Sequence, residues 1–106
     1  MSEHTKDSKK SKQREPHMEM YEAILTLKTL DECVRFFDDL CSVTELRAIE
    51  QRFQVARLLS QGNIYSSILE QTGASSATIS RVNRSLHYGA DSYEIVFRRL
   101  DEKKGK

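Results

Sequence analysis

Residues 64–86 read IYSSILEQTGASSATISRVNRSL, and the single glycine in that stretch leaves little choice of fold. Ile68 and Leu69 precede Gly73, whereas Ile79, Val82 and Leu86 recur at helical spacing after it. Two short amphipathic segments joined at a glycine predict a sharp turn, because glycine adopts positive φ at no steric cost and lets the second helix leave steeply. Ser75 suits the N-cap of that second helix, its hydroxyl accepting from the free amides of the first turn. The expectation is a helix-turn-helix over residues 64–86, with helices at 64–72 and 75–86. Leu69 stands where many such units keep a small residue.

On a helical wheel Ala77, Arg81, Arg84 and Tyr88 gather opposite Ile79, Val82 and Leu86. Between its apolar positions the second helix carries only small, hydroxyl or cationic side chains. Residues 61–88 hold one acidic side chain, Glu70, in a chain that has 16. A small, flat, basic face without carboxylates suits the major groove of duplex DNA and the phosphates beside it. Ser75, Ser76, Ala77 and Thr78 lead at the N-terminal end, where base edges are reached. Ala77 suits a thymine methyl, while Ser76, Thr78 and Ser80 suit bases or bridging water. Arg81 and Arg84 are better placed for phosphate, and Arg84 has a guanine edge as its other option.

Bulk charge does not announce such a partner, since the net charge of the 106 residues is +1. Its distribution does. Residues 1–16 carry five cations and three anions, residues 17–60 five and eight, and residues 61–106 seven and five. No apolar run approaches membrane-spanning length, and the N-terminus lacks the apolar core of a signal peptide, so a cytoplasmic protein is expected. Cys33 and Cys41 are too far apart along one helix for a disulfide, roughly 12 Å at 1.5 Å per residue. They are expected as buried packing residues without a metal. His4, His17 and His87 are scattered, none beside a candidate nucleophile. With no paired carboxylates and no phosphate-cradling glycine loop, no catalytic residue, metal or cofactor is assigned and an enzyme is not expected.

Residues 1–16 form a polar arm with no apolar residue after Met1, expected to be disordered. Its five cations suit either a DNA backbone or a merely solubilising tail. A helical domain is expected over residues 17–101, followed by a solvated tail at 102–106 within the closing DEKKGK. Met20, Tyr21, Ile24, Leu25 and Leu27 suit a first helix over residues 19–30. Cys33, Phe36, Phe37, Leu40 and Cys41 mark a second, capped by Thr29 or Asp31. Ser42 followed by Glu45 matches a capping box and opens a third helix over residues 44–61. That helix has two apolar faces, Leu46, Ile49, Phe53 and Ala56 on one, and Ala48, Val55 and Leu59 on the other with Leu58 beside them. A helix apolar on both sides is sandwiched, and in so short a chain a second copy supplies the other slice. Gly62 and Asn63 stop it. Gly89 ends the helix-turn-helix, Asp91 or Ser92 caps a last helix, and Tyr93, Val96, Phe97 and Leu100 form its stripe. Strand signals are absent: an all-α domain of about six helices is expected.

Over about residues 18–101 the chain resembles the tryptophan repressor family, most closely its Trp-repressor-like branch in Gram-positive bacteria. The likeness is densest in GASSATISRVNRSL and continues through RAIEQRFQVARLLSQG, the family's long central helix. LKTLDECVRFFDDLC is typical of the branch. The resemblance implies an intertwined helical homodimer, in agreement with the two-faced third helix. It also implies a ligand pocket between the central and recognition helices. Arg52 and Arg81 match the two arginines that sandwich the indole and hold the carboxylate, Ser42 the hydroxyl near the amino group, and Ser85 a further pocket hydroxyl. Val82 departs from the pattern, which keeps glycine there. The added isopropyl group overpacks a tight slot, typically at about 1–3 kcal/mol. L-tryptophan is therefore not expected to bind. The pocket is vestigial, and Arg52 is expected to make an ion pair or face phosphate inside the dimer.

Together these readings predict a cytoplasmic, homodimeric, sequence-specific DNA-binding transcriptional regulator, a repressor or an activator, with a palindromic operator of double-stranded DNA. Its recognition helices would lie about one DNA turn apart, roughly 34 Å. No small-molecule effector is identified. A dimeric protein-interaction module on the same helix-turn-helix scaffold is the alternative, separable by salt dependence.

Overall fold

The computed structural model describes residues 14–105. Most of the arm expected over residues 1–16 lies outside the described residues. Six α-helices and no strand occur among those described: α1 (Met18–Ile24), α2 (Leu30–Leu40), α3 (Val43–Ser60), α4 (Tyr65–Thr72), α5 (Ser76–Tyr88) and α6 (Ser92–Lys103). The chain divides into two units, Met1–Leu40 and Cys41–Lys106.

In the first unit α1 stops six residues earlier than its apolar spacing predicts, at Ile24 rather than Leu30. Local polar groups end it. The Thr26 hydroxyl donates to the Ala23 carbonyl at 2.6 Å, a competing bond of the kind hydroxyl residues offer the backbone. Beyond it the next helix has already begun to cap. The Glu32 amide donates to Thr29 Oγ1 at 3.0 Å, and the Lys28 amide to Glu32 Oε1 at 2.8 Å. Thr29 is thus the capping residue of the two candidates. Neither α1 nor α2 holds a buried residue. Along the α2 stripe, Cys33, Phe36 and Phe37 are half-buried and Leu40 is exposed. Cys33 and Cys41 are free thiols, and neither is fully buried within the chain as expected.

The second unit has a core of its own. Its first helix, α3, opens on a reciprocal cap. The Glu45 amide donates to Ser42 Oγ at 3.1 Å, and the Ser42 amide to Glu45 Oε1 at 2.8 Å, the capping box anticipated from spacing. At the far end the backbone and side-chain amides of Asn63 both donate to the Leu58 carbonyl, at 3.1 and 3.0 Å. α3 packs against α4 and α5, which pack against each other. Val55, Ala56, Ile68, Ala74, Ile79, Val82 and Phe97 are buried together, with Leu58, Leu59 and Tyr93 closing over them. Each fully buried aliphatic side chain there contributes roughly 1.5–3 kcal/mol. One face of α3 finds cover in this core. On the other only Ala56 is fully buried, and Ile49 stays 46% and Phe53 42% exposed.

Aromatic packing fixes α6. Phe97 stacks on Tyr93 and meets Phe53 edge-on, each at a centroid distance of 5.6 Å. The Arg57 guanidinium lies 4.9 Å above the Phe97 ring and pairs with Asp101. Of the closing DEKKGK, the first residue is therefore not solvated like a tail. Asp101 is half-buried and ion-paired, and the helix runs on to Lys103. The cap of α6 also differs: Asp91 occupies the N-cap in left-handed backbone, φ 62°, without a side-chain capping bond.

Candidate nucleic-acid interface

The turn between α4 and α5 is built almost wholly from local hydrogen bonds. Gly73 has φ 74° and ψ 6°, the left-handed geometry for which glycine was expected, and its amide donates to the Leu69 carbonyl at 2.9 Å. Beside it the Thr72 hydroxyl donates to the Ile68 carbonyl at 2.8 Å and accepts the Ala74 amide at 3.0 Å. Ser75 caps α5 as expected, its Oγ accepting the Thr78 amide at 3.1 Å. Inside the turn Ile68 and Ala74 are buried, while Leu69 is 45% exposed. Leu69 therefore does not crowd the position where a small residue is common.

Ile79 and Val82 anchor α5 in the core, so its opposite face is turned outward. Ser75, Ser76, Ala77, Ser80, Arg81 and Arg84 are all exposed. Thr78 is half-buried, its hydroxyl 3.1 Å from that of Ser75. Within the N-terminal turn, then, Ser75 and Thr78 hold each other, and Ser76 and Ala77 stand free on the surface. Among the described residues neither Arg81 nor Arg84 is paired with a carboxylate. Two unneutralised guanidinium groups on one helix make a local positive field on an otherwise near-neutral chain.

Of the residues matched to a ligand pocket, the two serines make local hydrogen bonds. Ser42 Oγ accepts the Glu45 amide, and Ser85 Oγ donates to the Val82 carbonyl at 3.0 Å. Arg52 and Arg81 are exposed. Among the described residues Arg52 makes no ion pair within the chain. Val82 is 3% exposed and packed among the core aliphatics. A cavity of about 440 Å³ lies elsewhere, between Leu86, Tyr93, Phe97, Arg57 and Asp91, and none of the five matched residues lines it. Among the described residues no cluster of His, Cys, Asp or Glu is arranged to hold a metal ion. None of the described helices is long and apolar enough to cross a membrane.

Two groups that support this face were not foreseen. Gln51 on α3 donates through Nε2 to the Thr72 carbonyl at 3.2 Å, and Arg57 holds α6 through Asp101. A glutamine in mid-helix carries no signal of its partner, because that partner is 21 positions away. At the start of α3 the Ser42 amide, and then its hydroxyl, hold the exposed Glu45 carboxyl below its ordinary value.

Comparison with known proteins agrees with this geometry. The family model of the Trp repressor protein matches residues 16–101. The uncharacterised protein YerC of Bacillus subtilis (strain 168) is 52% identical over 84 residues, covering 79% of this chain and 81% of YerC. A crystallised TrpR-like protein from Eubacterium eligens ATCC 27750 superposes with a TM-score of 0.77 at 52% identity, covering 79% of this chain and 87% of that one. A Staphylococcus aureus protein, provisionally described as a Trp repressor, gives a TM-score of 0.76 at 49% identity, over 78% and 83% of the two chains.

Proposed function

The chain belongs to the Trp repressor family, a family of DNA-binding regulators rather than enzymes, and from that premise we propose that it is a homodimeric, sequence-specific transcriptional regulator of the cytoplasm. The observation that carries the proposal is the division of α5. Ile79 and Val82 are buried, while Ser76, Ala77, Ser80, Arg81 and Arg84 are exposed, with no acidic side chain on that helix. Helix-turn-helix dimers, the Trp repressor among them, present such a face to the major groove and read half-sites related by two-fold symmetry. Here α4 crosses the backbone, α5 enters the groove, Ser76, Ala77 and Ser80 meet base edges directly or through water, and Arg81 and Arg84 bind phosphate. Ser75 and Thr78 hold the end of the helix that does the reading.

The test is selection of bound duplexes from a random pool, followed by titration at several salt concentrations. A palindromic consensus whose affinity falls steeply with salt is the expected result. Binding that is absent, or indifferent to salt, removes the proposal and leaves a protein-interaction module on the same scaffold.

We further propose that the regulator does not respond to L-tryptophan, because Val82 fills the slot that the family's pattern leaves open. Calorimetry with the wild type should show no heat of binding at micromolar concentration. Val82→Gly removes the obstruction at a helix-propensity cost of several tenths of a kcal/mol. Low-micromolar binding by the wild type sinks the claim.

A further inference from the structure

Among the described residues, two side-chain hydrogen bonds span long sequence separations, and both start on α3. One is Arg57 to Asp101, which holds α6. The other is Gln51 Nε2 to the carbonyl of Thr72, 3.2 Å across 21 positions, and it holds the turn of the helix-turn-helix.

Thr72 is where that turn can be controlled. It ends α4, and the last carbonyls of a helix have no partner in the helix itself. Its hydroxyl is already committed on both sides, to the Ile68 carbonyl and the Ala74 amide. Its carbonyl is taken by Gln51. The next residue, Gly73 at φ 74°, is of the type with the widest choice of backbone conformation. Beneath the turn, Ile68, Ala74 and Ile79 pack on Val55 and Ala56, but apolar contact is non-directional and leaves a short helix free to rock. A hydrogen bond from the central helix to the residue before the glycine restrains that motion, because its geometry is narrow.

We infer that Gln51 is a positioning residue: by latching Thr72 to α3 it sets the angle at which α5 is presented. It is half-buried on α3 and forms no part of the outward face of α5. The consequence for DNA rests on the functional reading above, whereas the latch itself does not. A regulator that reads two half-sites is sensitive to such an angle, since an error in each protomer misplaces both recognition helices at once.

Gln51→Met removes the donor at nearly constant length, and Gln51→Glu sets an acceptor against an acceptor. Both are measured as full-length protein, by amide hydrogen exchange without DNA and by affinity for a selected duplex across a salt series. Exchange at Gly73, Ala74 and Ser75 should rise severalfold while the amides of α3 and the oligomeric state stay unchanged. Affinity should fall roughly 3- to 10-fold, the scale of one lost hydrogen bond, with an unaltered salt slope because no phosphate contact is removed. Wild-type exchange at the turn overturns the latch. Faster exchange with unchanged affinity, or a reduced salt slope, overturns positioning as its role. A wild type that binds no duplex defeats the functional reading, and the exchange arm still decides the latch. If Gln51→Met does not fold, Gln51→Asn withdraws the amide by one methylene and carries the same comparison.

Discussion

The helices before Cys41 and those after it obey the same rules of pattern and capping, yet only the second set buries anything. α2 has an amphipathic stripe as regular as any in the chain, but its Cys33, Phe36 and Phe37 are only half-buried and Leu40 is 50% exposed. In the second unit, α5 is less apolar along its length, yet Ile79 is fully buried and Val82 nearly so. The difference lies in supply of partners. α3, α4 and α5 offer one another complementary faces within about 45 residues, and short loops make that closure inexpensive in chain entropy. α2 meets no such complement in its own unit. An amphipathic helix that buries no residue lacks the tertiary contacts from which most helical stability comes. The comparison therefore points the same way as the open face of α3 at Ile49 and Phe53: the apolar faces left uncovered within the chain are the ones the proposed homodimer would bury.

The largest test of that contrast is Ile68→Ala. It empties the core of the second unit and should cost about 2–5 kcal/mol in urea unfolding. A loss below 1 kcal/mol would mean that the unit does not depend on its own core. Phe37→Asp is the counterpart in the first unit. It should weaken self-association by roughly thirtyfold or more, the scale of an interface hot spot, with α3 to α6 still folded. Sedimentation over a concentration series measures it, and an unchanged association constant would show that α2 is not an interface helix.

Arg81→Ala and Arg84→Ala sharpen the functional side of the contrast. Each should leave helix content and association intact while lowering the salt slope of DNA binding by about one per arginine per protomer. Unaltered slopes in both variants would remove phosphate contact from the account. The smallest effect is expected at Glu45. Its carboxyl is held below the ordinary value by the Ser42 amide and hydroxyl. A depressed folded-state value gives stability that is present above the unfolded value and lost as pH falls through the folded one. Glu45→Gln should therefore lower the neutral melting temperature slightly, match the wild type at acid pH, and so make the acid limb of the melting profile shallower. An acid limb identical to the wild type would show that the cap carries no measurable linkage.

Capping and turn chemistry were legible in the chain because they act within four residues. Ser42 with Glu45, Ser75 with Thr78, and Gly73 at positive φ are each specified by neighbours. The periodicity of Ile79 and Val82 foretold which side of α5 faces inward, and with it the outward set from Ser76 to Arg84. Less local features went astray. The apolar spacing of α1 overruns its end because it continues past the point where Thr26 and Thr29 redirect the backbone. The half-burial of Asp101 has no local signal either, because nothing near it names Arg57, 44 positions earlier, as its partner.

By itself, then, the sequence determined the helical class, the helix-turn-helix and the family, since each is written in short-range spacing and residue type. Only the tertiary structure decided which apolar faces are covered within the chain, and that Gln51 and Arg57 tie the turn and α6 to α3. Those outcomes depend on which surfaces meet once distant segments come together, and a local pattern specifies a face without naming what will lie against it.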